Sequence, residues 1–166
     1  MALTETISDS LKRSFELYRE LAESLDEPAL SAKLSELPSN TIGEQLWCVV
    51  GARESYSRAI TENKWSGFSC SLESTKDKTT VVEALEHSQA AVREVLQAIA
   101  SYSDTQNRLA IDLLEHEVAH HGQLISVSLR PEANHSRWLE VEIRAGLTLQ
   151  YAKPAFALQH IDSSEL

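Results

Sequence analysis

Apolar residues recur at every third or fourth position through four long segments of this chain, a period that commits it to helices packed on one another. The first segment runs from Thr4 to Leu25, with Ile7, Leu11, Phe15, Tyr18, Leu21 and Leu25 along one face. Pro28 and Pro38 break the periodicity beyond it, leaving room for a short helix around Ala29 to Leu34. The second helix is expected from Thr41, which has capping-box spacing to Glu44, to Asn63, through Leu46, Val49, Val50, Tyr56 and Ile60. The third is expected from Thr80, with the same spacing to Glu83, to Tyr102, through Val81, Leu85, Val92, Val95, Leu96 and Ile99. The fourth runs from Asp104 to Leu129 and stops before Pro131, and Ser103 and Gln106 repeat the capping spacing. None of these stripes can be buried by its own helix. One shared core, and so an all-α four-helix bundle over residues 1–130, is the economical solution. The short connection at Tyr102-Ser103-Asp104 predicts that helices three and four are antiparallel neighbours, whereas the stretch after Asn63 is long enough for a crossover.

Residues 131–166 are expected to be a C-terminal extension packed on the same domain. From Leu139 to Tyr151 apolar residues take alternate positions, with Glu140, Glu142 and Arg144 between them. That is a strand pattern, with Ala145-Gly146 as its turn, and it favours a β-hairpin over a short helix through Trp138, Val141 and Ala145.

Charge narrows the partners. The 166 residues carry a net charge of −10 and no run of Lys or Arg. Neither nucleic acid nor an anionic membrane is expected, since both draw proteins through basic clusters. No apolar stretch approaches the roughly 18 residues of a spanning helix, and the N-terminus lacks the pattern of a signal peptide. Cys48 and Cys70 are too few for a disulfide framework. A cytoplasmic location is the expectation.

The stretch that carries chemistry is Glu115-His116-Glu117-Val118-Ala119-His120-His121-Gly122-Gln123. The inward stripe of the fourth helix reads Leu109, Leu113, His116, His120, Leu124 and Val127, so two histidines take core-facing positions. Residues four apart lie one turn apart on one face, about 5–6 Å between Cβ atoms, which suits two imidazoles on one ion. Zinc, nickel, copper and iron all accept neutral imidazole. The alternative is a pair of ordinary interior histidines that find hydrogen-bond partners. His121 lies about 100° further round, on the side of Glu117, at the surface or behind the ligands. Gln123, one turn beyond His120, is a candidate for orienting a ligand or substrate. His87, His135 and His160 stand alone. His116 to His120 also satisfies the H-E-x-x-H pattern of zinc proteases, with Glu117 as general base. Its context is poor: no strand-rich segment precedes it, and the extended protease pattern needs Gly where Gln123 stands and His where Ser126 stands.

Two blocks together resemble the DinB-like (damage-inducible) superfamily of bacterial helical-bundle proteins. One is Ser39-Asn40-Thr41-Ile42-Gly43-Glu44-Gln45-Leu46-Trp47-Cys48, continuing through the next turns to Glu54; the other is His116-x-x-x-His120-x-Gly122-Gln123. The resemblance covers about Leu11 to Leu129. It implies a divalent ion held by one side chain of helix two and two of helix four. His116 and His120 carry over directly, and the third ligand falls on Cys48, where many members have His. Thiolate is a good zinc ligand, although a free cysteine is equally at home as a small core residue. Cys70, in the loop after helix two, is a remote second thiol. The resemblance further implies a homodimer and a metal-dependent hydrolase, or a transferase using a low-molecular-weight thiol. The small-molecule substrate is unspecified, and zinc is the first choice of ion ahead of nickel or iron. The alternative class is a non-catalytic dimeric bundle that binds metal or responds to stress.

Overall fold

The computed structural model describes residues 3–33, 39–99 and 101–128; the extension 131–166 and its expected hairpin lie outside them. Four helices form, α1 Leu3–Ser24, α2 Ile42–Glu62, α3 Lys78–Ala98 and α4 Asp104–Ser128, and no strand occurs among the described residues. A single 3₁₀ turn, Pro28–Ser31, stands where a short helix was expected. Proline opens it, at a position whose N–H needs no partner.

The caps explain the boundaries. At α2, Thr41 Oγ1 accepts from the Glu44 N–H (3.2 Å) and the Glu44 carboxylate accepts from the Thr41 N–H (2.7 Å). Ser103 and Gln106 make the same reciprocal pair before α4, at 3.1 and 3.0 Å. α2 closes on Asn63 in the left-handed region (φ 56°), a conformation that asparagine tolerates. α3 departs from expectation. Thr80 does not cap it; Asp77 does, its Oδ1 accepting from the Thr80 N–H at 2.6 Å. A carboxylate outcompetes a hydroxyl at the positive end of a helix, so α3 begins earlier, and it ends at Ala98 rather than Tyr102.

The helices that share interfaces are α2 with α3, α2 with α4, α1 with α3 and α1 with α4. Helices consecutive in the chain therefore sit mainly on diagonals. This corrects the expectation that α3 and α4 are neighbours. A five-residue link can reach roughly 16–18 Å, and diagonal axes of a bundle are only about 11–14 Å apart, so a short link does not force adjacency. The core has two apolar clusters. One gathers the end of α1, the starts of α2 and α3 and the end of α4, among them Leu21, Leu46, Val81 and Leu124. The other gathers the opposite ends, among them Leu11, Ile60, Val92 and Leu113. α1 and α4 therefore point one way and α2 and α3 the other.

Because α2 and α3 are parallel neighbours, the connection 63–77 must retrace the length of α2. It does so along the outside of that helix. The Ser69 N–H donates to Ser55 Oγ (3.0 Å) and the Ser71 N–H to Glu54 Oε2 (2.9 Å). Farther along, the Cys70 thiol donates to the Trp47 carbonyl (3.2 Å). Two glycines of α2 admit this loop. A Cβ on Gly51 would strike the Phe68 ring and the Cys70 Cβ, and one on Gly43 would strike the Thr75 carbonyl oxygen.

Candidate metal centre

Between the two apolar clusters lies a polar belt, in which α2 and α4 face each other as antiparallel neighbours. Cys48 of α2 and His116 and His120 of α4 come together there, one ligand atom from each lying within 4.8 Å of the others. They form a group able to hold a metal ion. Cys48 Sγ is 3.5 Å from His116 Nε2, and the two imidazole centroids are 4.6 Å apart. The i, i+4 spacing on α4 sets the second distance. The first depends on Cys48 standing on the flank of α2 that faces α4.

Burial sets the charge of these groups. Cys48 and His116 are half-buried at the edge of the core, and His120 is 9% exposed. Desolvation lowers the pKa of both histidines, and the neighbouring His116 helps take His120 down to about 4. Both are neutral at pH 7 and carry a lone pair for an ion. Burial raises the Cys48 thiol, so a cation has to displace its proton to gain a thiolate. Outside the triad, His120 Nδ1 meets Gln45 Oε1 at 3.3 Å. His116 Nδ1 is buried and has no hydrogen-bond partner among the described residues.

The remaining expected residues lie elsewhere. Gln123 is exposed on α4. Glu117 points into the core, where it is fully buried and makes a two-pronged ion pair with Arg53, at 2.7 and 2.9 Å. Ser14 Oγ donates to the same carboxylate at 2.7 Å. Burial alone would raise the Glu117 carboxyl, but Arg53 and the bonds from Arg53 and Ser14 outweigh it and hold the pKa below the ordinary value. Both carboxylate oxygens are thus engaged away from the Cys48–His116–His120 group, which is not how a general base of an H-E-x-x-H site stands. Cys70 is committed to the loop through its bond to Trp47.

Sequence reasoning did not anticipate how these polar residues are arranged. The Arg53 guanidinium lies 4.4 Å from the centroid of the Phe15 ring and 5.0 Å from that of Tyr18. Tyr18 donates its hydroxyl to the Glu117 carbonyl at 2.8 Å, and its ring stacks on His121 at 4.3 Å. Desolvation takes His121 to about 4 as well. One signal was there to be used: Arg53 and Glu117, of opposite charge, each occupy a stripe position, between Val49 and Ile60 and between Leu113 and Leu124. The chain has no significant match to any protein-family model, to any curated protein or to any solved structure compared with it.

Proposed function

We propose that this chain is a metal-dependent enzyme of the DinB-like type, a hydrolase or a transferase of low-molecular-weight thiols. It would hold a divalent ion, zinc first, through Cys48, His116 and His120. The observation that carries the reading is the 3.5 Å separation of Cys48 Sγ from His116 Nε2. Two donors on one tetrahedral zinc, at the usual Zn–S and Zn–N lengths, stand about 3.6 Å apart. The other nitrogen of the same ring, His116 Nδ1, is buried and has no hydrogen-bond partner among the described residues. Three protein donors are the complement of a catalytic rather than a structural zinc site, and the ion would act as a Lewis acid on a water or thiol brought to it. The chain itself contributes neutral imidazoles and a thiol that gives up its proton on ligation; Gln123, exposed on α4 one turn from His120, would be the candidate to meet a small-molecule substrate. A homodimer in the cytoplasm completes the proposal. The exposed Val118 on α4, at 58%, and the exposed Trp65 and Phe68 of the crossover supply apolar surface for self-association.

Elemental analysis of tag-free protein tests this reading. One divalent ion per chain is expected, and it should be lost from the His116→Ala/His120→Ala double variant while the helical circular dichroism persists. Undiminished stoichiometric binding by that variant would refute the assignment.

A further inference from the structure

Among the described residues, only one of the two histidines has a partner behind it. Gln45 lies on α2 one turn before Cys48, is buried at 3% exposure, and places its side-chain carbonyl 3.3 Å from His120 Nδ1. A carbonyl oxygen can only accept, so this contact requires the proton of the neutral ring to sit on Nδ1. Nε2 then carries the lone pair. With Nδ1 taken by Gln45, Nε2 is also the nitrogen left to face Cys48 and His116. The opposite amide orientation would donate to Nδ1 and put the ring proton on Nε2, where it would exclude a cation. His116 Nδ1 has no comparable partner among the described residues, so the arrangement is specific to His120.

We infer that Gln45 is a positioning residue which fixes His120 as its Nδ1–H tautomer and so prepares Nε2 for ligation. The inference rests on the proposed metal site for its purpose but not for its first test. A ligating histidine that donates its other N–H to an acceptor is held in orientation and made more basic, and loss of such an acceptor typically weakens metal binding 10- to 100-fold.

The tautomer is read in the metal-free protein at pH 7 from the ¹⁵N shifts of the His120 ring. Wild type is expected to show Nδ1–H. Gln45→Met, of similar length but without an acceptor, is expected to move His120 towards Nε2–H, and Gln45→Glu, which restores one, is expected to keep Nδ1–H. In zinc competition against a chromophoric chelator, Gln45→Met should bind about 10- to 100-fold more weakly and Gln45→Glu within a few-fold of wild type. A wild-type His120 found as Nε2–H overturns the inference, as does a folded Gln45→Met protein with unchanged tautomer and unchanged zinc affinity. If the wild type binds no divalent ion, neither zinc nor nickel nor iron, the proposed function fails, and the tautomer spectra alone decide the role of Gln45.

Discussion

Arg53 and Glu117 have no exposed side-chain surface, so neither can turn to water if its partner is removed. Arg53→Ala or Glu117→Ala should each cost about 3–5 kcal/mol in urea denaturation, because a buried charge is left unpaired. Measured against Arg53→Met and Glu117→Leu singly, the double variant Arg53→Met/Glu117→Leu should lose far less than the sum of those two changes. An additive result would mean that the pair is not coupled. At the metal group the informative residue is Cys48. If the thiolate ligates, Cys48→Ala weakens metal affinity while Cys48→His preserves three donors. If Cys48 only fills space, Cys48→Ala leaves affinity unchanged and Cys48→His costs stability by overpacking. Affinity and melting temperature of both variants separate the cases. The histidine pair was legible in the sequence because i, i+4 spacing on an apolar stripe leaves few other arrangements. The Arg53–Glu117 pair was legible only as two opposite charges on stripe positions; their pairing was not, since an arginine in a helix is exposed by default and a period of 3.6 fixes the face only to within about one residue's rotation of 100°. The inward centre of α4 proved to be Glu117, with His116 at the edge of the core.

Helix starts with a reciprocal side-chain pair were legible; the start of α3 was not, because a capping spacing at Thr80 does not reveal that Asp77 competes for the same N–H. The lateral order of the helices was hidden for a similar reason. Link length bounds a distance and leaves the choice of neighbour to the packing faces. The glycines of α2 and α4 offer an element-scale test of the crossover. A Cβ at Gly43 would collide with the Thr75 backbone and lie 3.2 Å from the Leu30 carbonyl oxygen, and backbone yields less readily than a side chain. Gly43→Ala should therefore lower the melting temperature and loosen the loop, seen as faster amide exchange around Thr75. Gly122 is exposed and a Cβ there meets nothing within 4 Å among the described residues. Gly122→Ala should stabilise the protein by about 0.5–1 kcal/mol without changing metal affinity, although the glycine stands two residues from His120.

For the whole molecule, acid is the sensitive direction. An unfolded chain protonates His120 and His121 near 6.5, whereas the folded chain does so only near 4. Over that window the unfolded state binds more protons, so stability falls as pH falls. Glu117 adds a further loss at lower pH, when its depressed carboxyl is finally protonated. The melting temperature of metal-free protein should drop steadily from pH 6.5 to 4, and a flat profile would contradict the burial of these rings. Among the described residues no helix is long and apolar enough to cross a membrane. The diagonal placement of consecutive helices has a consequence for how the chain comes together. An up-and-down bundle can build itself from hairpins, each adding stability as it is synthesised. Among the described residues α1 and α2 share no extensive interface, and their apolar stripes find cover against α3 and α4. A nascent chain ending before α3 has no helical pair to fold around, so the molecule should form late and all at once, with a higher contact order and a slower rate than an up-and-down bundle of the same length.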